Sequence, residues 1–336
     1  MKYYSTILKL IGRTPLVRIN RSNPNPKVLM LAKLEKYNPA GSVKDRIAIS
    51  MIEEAEKEGI MTYDKIVIEP SSGNTGIGLA LICSVKGYPL EIVMPETMSV
   101  ERRKIMTAYG AKITLTQGDK GMNGAEDYVK NLVSENPEKY FYPNQFANEN
   151  NPLAHYRYTA EEIIEDTDGE LDVFVAGLGT SGTLMGVSKR LKEHNPNIKI
   201  IGVEPVPKSG IQGLKNLETS YVPEIFDESR LDEKIYVTLD EAEHASRMLT
   251  LCEGIFSGIS SGAAMHVAIE TAKKMDSGTL VVILPDGGEK YISHPIYSPN
   301  KCLECTKICQ VRNLWTDEYI ASISDWWESE SEPKTE

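Results

Sequence analysis

Short apolar runs rich in β-branched residues recur along this chain, with helix-length segments between them. No other feature constrains the fold as strongly. The runs are KIVIEP (65–70), LEIVMP (90–95), AKITLT (111–116), KYFYPN (139–144), DVFVAG (172–177), KIIGVEP (199–205) and LVVILP (280–285). They are apolar on both faces, as strands buried inside a parallel sheet are. Between them GLALICSVKG (78–87), SVERRKIMTAYG (99–110), LAHYRYTAEEIIED (153–166), TLMGVSKRLKEH (183–194) and SGAAMHVAIETAKKM (261–275) read as helices. Strands alternating with helices predict an α/β fold with mostly parallel sheets. The rhythm fails twice. Residues from about Pro205 to Lys234 read as irregular with weak strand signals, and beyond Tyr291 the alternation stops. Residues 299–336 read as a Cys-bearing extension that ends in the acidic stretch WWESESEPKTE, expected to be disordered.

A length of 336 residues suffices for one large domain or two modest ones. The net charge of -11 argues against nucleic acid and anionic membrane surfaces as partners. It leaves room for an anionic small substrate in a locally cationic pocket. No stretch approaches the ~20 apolar residues of a membrane span. The opening MKYYSTILKLIGRTP lacks a long apolar run, so a cytoplasmic protein is expected. Cys83 and Cys252 sit in apolar helical contexts that suit buried free thiols. Cys302, Cys305 and Cys309 cluster as C-x2-C-x3-C. Such thiolates are candidate ligands for zinc or an iron–sulfur cluster, and three reduced thiols are the plainer alternative.

Three loops ask for one ligand. In NPAGSVKDR (38–46), Ser42 is placed to cap the following helix with Asp45 in capping-box fashion. Lys44 then falls in a first helical turn, where the macrodipole disfavours a cation. A lysine so placed has an amine whose pKa is open to depression, as a nucleophile needs. A solvated surface lysine is the plain alternative. In EPSSGNTG (69–76), hydroxyls, an amide and two glycines crowd a strand-to-helix turn, beyond what one cap requires, and suit a carboxylate. In GLGTSGT (177–183), a glycine-rich turn opens a helix and suits a phosphate. The third loop also satisfies G-x-G-x-x-G, with Glu204 ending the next strand, so a dinucleotide reading competes. That reading leaves Lys44 and the Asn74 loop unexplained. A phosphorylated cofactor that also forms a Schiff base accounts for all three.

Taken together, NPAGSVKDRI, EPSSGNTGIGLAL, NQFANENNPLAHY, GLGTSGTLMGV and EGIFSGISSGAA resemble the cysteine synthase family, the O-acetylserine and O-phosphoserine sulfhydrylases, related to cystathionine β-synthase. The resemblance runs from about Ile11 to Ser293. It implies the fold of the tryptophan synthase β-like pyridoxal-phosphate enzymes: two three-layer α/β subdomains with mostly parallel sheets. The large one takes residues 1–36 and 149–298, and the smaller, mobile one residues 37–148. It also implies a homodimer, an amino-acid substrate and a sulfur nucleophile. Lys44 matches the lysine that carries pyridoxal 5'-phosphate and moves the α-proton. Asn74 matches the contact to the cofactor's 3'-oxygen. Gly179, Thr180, Ser181, Gly182 and Thr183 match the phosphate cup. Ser71, Ser72, Asn74 and Thr75, with Gln145 beside them, match the grip on the substrate carboxylate. The reaction implied is β-replacement on an activated serine through an α-aminoacrylate, with cystathionine or lanthionine formation and cysteine desulfhydration as variants on the same scaffold.

Two departures are legible. Pro285-Asp286-Gly287-Gly288 puts Gly287 where the family often sets a serine against the cofactor's pyridine nitrogen, leaving water or no partner as alternatives. GLKNLETSYVPEIFD resembles the region that carries an arginine for the leaving phosphate in phosphoserine-using members, and Lys215 aligns with that arginine.

Overall fold

The structure, a computed structural model, describes residues 1 and 3–298. Cys302, Cys305 and Cys309, and with them the extension from residue 299, lie outside the described residues. Among the described residues no group of His, Cys, Asp and Glu has the arrangement of a metal site. No described helix is long and apolar enough to cross a membrane.

Two sheets carry the architecture. The larger has six strands: β1 (Leu16–Arg18), β2 (Val28–Leu34), β7 (Val173–Gly177), β8 (Lys199–Pro205), β9 (Glu233–Val237) and β10 (Gly278–Leu284), in the order β1-β2-β10-β7-β8-β9. Only the β1–β2 pair is antiparallel. The smaller sheet is fully parallel, with β3 (Ile66–Pro70), β4 (Leu90–Pro95), β5 (Lys112–Thr116) and β6 (Tyr140–Phe141) in the order β5-β4-β3-β6.

The two-faced apolar runs explain the layering. Successive side chains of a strand point to opposite faces. In the larger sheet Val173, Val175, Ile201, Val203 and Val282 enter one core, beneath α8 (Leu239–Glu253) and α9 (Ile259–Lys274). Phe174, Ala176, Ile200, Val281 and Ile283 enter another, beneath α6 (Ala160–Asp166) and α7 (Gly182–His194). The smaller sheet does the same, with α1 (Lys44–Lys57) and α2 (Asn74–Lys86) on one face and α4 (Gly121–Glu135) on the other. The expected α/β class with parallel sheets is what the chain adopts.

Several local expectations need correction. The run at 139–144 forms only the two-residue β6. Pro143 lacks a ladder donor, and the N–H of Asn144 donates instead to the buried Glu69 carboxylate at 2.9 Å. β2 escaped the apolar reading because Lys33 interrupts it. That lysine has 0% exposure and pairs with Asp166 at 2.8 Å and Glu162 at 3.1 Å. The irregular region gives way to β9 at Glu233, and α8 follows behind a capping box formed by Thr238 and Glu241. The segment taken as one helix at 153–166 begins at Asn150 and widens into a π-turn over His155–Thr159. Cys83 is a buried free thiol. Cys252 is not the free thiol expected of it, because its sulfur stands in a disulfide.

Candidate active site

The three loops converge on one cavity of about 430 Å3 between the sheets. They follow the carboxyl ends of β2, β3 and β7, where open α/β sheets receive ligands. Lys44, Ser71, Ser72, Asn74, Thr75, Gln145, Gly179, Thr180, Thr183 and Lys215 all line it. Ser181 and Gly182 lie behind the lining of their own loop. Gly287 also stands outside the lining, paired with Ser257 across an isolated bridge. A Cβ added to Gly287 would lie 2.0 Å from Glu289 Oε2, so a carboxylate fills the space a side chain would need.

Lys44 opens α1. The expected capping box does not form. Lys44 N donates to Ser42 Oγ at 3.2 Å, while the Asp45 carboxylate reaches back past Ser42 to accept from Ala40 N at 2.6 Å. The strand end at Pro285 fixes the same turn, since Val43 N donates to Pro285 O at 2.9 Å. α2 crosses close beneath, and Gly78 allows it. A Cβ there would approach both Lys44 O and Ala48 Cβ to 3.2 Å. The Lys44 amine makes no hydrogen bond or salt bridge among the described residues. Burial lowers its pKa from 10.5 to about 8, against the opposing pull of Asp286. In cofactor-free protein an amine-reactive reagent is therefore expected to label Lys44 with a midpoint near pH 8. Peptide mass mapping across a pH series reads this, and a midpoint at the ordinary lysine value would contradict it.

The second loop is knotted by its own side chains. Ser71 Oγ accepts from Gly76 N at 3.0 Å, and Thr75 Oγ1 donates to Gln145 Oε1 at 2.6 Å. Gln145 is set by a residue that sequence reasoning missed. Glu69 is fully buried and accepts from Asn144 N and from Gln145 N, the latter at 3.4 Å. Burial raises its carboxyl to about 8, although these N–H donors oppose the shift. Arg102 backs the loop, reaching Ser72 O at 3.5 Å and Gln212 Oε1 at 2.8 Å.

The third loop is shaped for an anion. Ser181 adopts φ 67°, which turns the chain at the start of α7. The N–H groups of Gly179, Thr180 and Ser181 have no acceptor among the described residues. They join the free N–H groups of the first helical turn. Gly179 permits the close approach of the neighbouring loop, because a Cβ there would stand 2.5 Å from Gly213 O. Asn151, also missed in the sequence, ties this loop to the second one: its Nδ2 donates to Gln145 O at 2.7 Å and to Thr180 Oγ1 at 3.1 Å. His155 fixes the last hydroxyl, with Nε2 3.2 Å from Thr183 Oγ1 and Nδ1 2.9 Å from Thr159 Oγ1. Burial, with Lys44 and Arg46 nearby, holds His155 well below its ordinary pKa and so neutral. The π-turn presents this ring, a placement that a regular 3.6-residue period does not indicate.

Lys215 extends from the opposite wall, 3.8 Å from the centre of the Phe146 ring. Burial lowers its pKa, and Glu126 opposes that. Glu204, which the dinucleotide reading needs for a ribose, is fully buried and accepts from Leu217 N at 2.6 Å. Its carboxylate belongs to the fold and not to a ligand.

Residues 7–286 match the family described as pyridoxal-phosphate dependent enzyme. A cysteine synthase of Aquifex aeolicus is 47% identical over 305 residues, spanning 88% of this chain and 93% of that protein. The crystal structure of a cysteine synthase from Entamoeba histolytica superposes with a TM-score of 0.84 at 40% identity, covering 93% of this chain and 97% of the other. A hydrogen sulfide-producing enzyme from Fusobacterium nucleatum superposes with a TM-score of 0.82 at 45% identity, covering 86% and 100%.

Proposed function

The chain belongs to the pyridoxal-phosphate dependent enzyme family, and we propose that it replaces the β-substituent of an activated serine, O-acetylserine or O-phosphoserine, with sulfide to give L-cysteine. One observation carries this reading. A desolvated amine, a hydroxyl- and amide-rich loop and an anion cradle face a single cavity.

The residues present fit pyridoxal phosphate. The unpartnered N–H groups of Gly179, Thr180 and Ser181, with the Thr180 and Thr183 hydroxyls, suit its phosphate. Asn74 suits its ring oxygen, and Lys44 its aldehyde. When bound, the cofactor draws electrons from the α-carbon of an amino acid joined to it, which acidifies the α-proton and lets a β-substituent leave.

The protein supplies the rest. Ser71, Ser72, Thr75 and Gln145 hold the substrate carboxylate, and Glu69 keeps Gln145 in place. Lys44 takes the α-proton. Its low pKa keeps a useful fraction of free amine near neutrality, where an ordinary lysine holds almost none. Residues 37–148, which include the carboxylate loop, close as a unit and keep water from the reactive β-carbon.

Lys215 receives the leaving group in this reading. A lysine binds phosphate as a point charge, without the fork of an arginine, so it favours phosphate over acetate only modestly. Lys215→Ala is expected to slow O-phosphoserine turnover about tenfold, the worth of one charge-assisted hydrogen bond, and to leave O-acetylserine turnover nearly unchanged. An equal small effect on both would remove the assignment. Release of sulfide from cysteine by the same steps is the second reading, favoured by the 45% identity to the hydrogen sulfide-producing enzyme. A panel of O-acetylserine, O-phosphoserine and cysteine, each assayed for cysteine and for sulfide, separates the two. Failure of all three substrates to react would overturn both.

We also infer a homodimer. Tyr4, Leu10, Tyr37 and Tyr158 are exposed around a second, surface cavity of about 1280 Å3, a concentration of apolar groups that a second copy would cover. Light scattering at the monomer mass would contradict it.

A further inference from the structure

The amide of Asn74 is gripped at both ends by charged side chains that stand behind the cavity wall. Lys290 Nζ donates to Asn74 Oδ1 at 2.8 Å, and Asn74 Nδ2 donates to Asp286 Oδ2 at 2.8 Å. A primary amide keeps nearly the same shape when turned end for end, so its partners decide which way it points. Here a reversed amide would aim N–H bonds at an ammonium and its carbonyl at a carboxylate. Both hydrogen bonds would be lost and two repulsions gained. Asp286 engages one of the two Nδ2 hydrogens, and the other has no acceptor among the described residues.

We propose that Lys290 and Asp286 are paired positioning residues that lock Asn74 with its remaining N–H toward the cavity, so that the site offers a donor, never a carbonyl, to an anionic ligand oxygen. The proposal rests on the reading of Asn74 as a cofactor contact.

Both residues are built into the wall. Lys290 Nζ also donates to Ala40 O at 3.0 Å and Gly41 O at 3.3 Å, so the same ammonium secures the loop that leads to Lys44. Asp286 is 1% exposed, and its Oδ2 accepts a second bond from Tyr291 OH at 2.9 Å. Its Oδ1 is buried with no partner among the described residues, packed against Gly258, where a Cβ would come within 2.0 Å. Burying a carboxylate with one oxygen unsatisfied is costly. An apolar residue at 286 would avoid that cost and would leave Asn74 free to turn.

Cofactor-free protein titrated with pyridoxal phosphate tests this through two readouts, the dissociation constant and the visible band of the bound cofactor, which responds to the hydrogen bonding of its ring oxygen. Asn74→Ala is expected to weaken binding about tenfold and shift the band, as loss of one hydrogen bond to a charged oxygen does. Lys290→Met should weaken it about five- to tenfold and shift the band in the same direction, with Lys290→Arg restoring most of both. In an Asn74→Ala background the Lys290→Met change should add less than about twofold, because its partner is already gone. Gly258→Ala, which displaces the Asp286 carboxylate without removing its charge, should show the same dependence on Asn74. If Lys290→Met keeps its full effect without Asn74, or has none while Asn74→Ala has a large one, the clamp is wrong and the cofactor reading stands. If Asn74→Ala binds as wild type with an unmoved band, the cofactor reading of Asn74 fails and takes the clamp with it.

Discussion

Lys44→Ala protein is expected to lose about 10²- to 10⁴-fold in β-replacement rate, the range that a positioned proton-transfer group supplies, and to lose no stability. The two halves of this expectation come from the same observation. The Lys44 amine has no hydrogen-bond or ion-pair partner among the described residues, and burial pushes it to about 8. A desolvated cation without a local partner contributes nothing favourable to folding. At neutral pH the folded protein must give up part of the charge that an unfolded lysine keeps. The sign follows: a depressed amine costs stability below its unfolded pKa and ceases to matter above it. Truncating the side chain is therefore neutral or mildly stabilising at pH 7, while the chemistry fails. Steady-state rates of the cofactor-loaded proteins and thermal unfolding of the cofactor-free ones read both. A variant that loses stability and activity in parallel would make Lys44 a structural residue.

The second large effect lies two residues further along the helix. Arg46 fills the space between two carboxylates: Nε and Nη2 bond Glu35 at 2.7 and 2.9 Å, and Nη1 and Nη2 bond Glu162, both at 2.7 Å. Arg46 is 3% exposed and Glu35 0%. Replacing such a pair by apolar groups can be neutral, but removing one partner strands a charge in low dielectric. Arg46→Met should cost about 3–5 kcal/mol, measured by equilibrium denaturation. Arg46→Lys should lie between, because an ammonium cannot fork to two carboxylates. The damage should also reach the active site. Glu35 accepts from Asn38 Nδ2 at 2.8 Å, and Asn38 Oδ1 accepts from Gly12 N at 2.8 Å, so the turn that carries Lys44 leans on this network. A cost under about 1 kcal/mol, in the range of an exposed pair, would show the network to be dispensable.

What was legible in the sequence follows from what each signal reports. The parallel core was plain because β7, β8 and β10 bury both faces and read as unbroken apolar runs. β2 was hidden because Lys33 breaks its run near the carboxyl end, and only a tertiary partner, Asp166 or Glu162, makes a lysine tolerable there. α4 was hidden because it begins at Gly121 and buries only Ala125 and Val129. Residues that line the cavity stand in compact polar loops, and the sequence singles them out: Lys44, Ser71, Ser72, Asn74, Thr75, Gln145, Gly179, Thr180 and Thr183. It does not single out the residues that orient them. Glu69, Asn151, His155, Asp286 and Lys290 reach Asn144, Thr180, Thr183 and Asn74 across 28 to 216 positions of sequence, and no local pattern marks them. Gly287 was singled out for a departure in a motif, yet it is its neighbour Asp286 that bonds Asn74.

The most direct measurement reduces the purified protein with borohydride, digests it and maps the cofactor adduct by mass. One stoichiometric adduct, on the peptide that contains Lys44, is the predicted result. An adduct on any other lysine, or none on protein saturated with pyridoxal phosphate, would contradict the account.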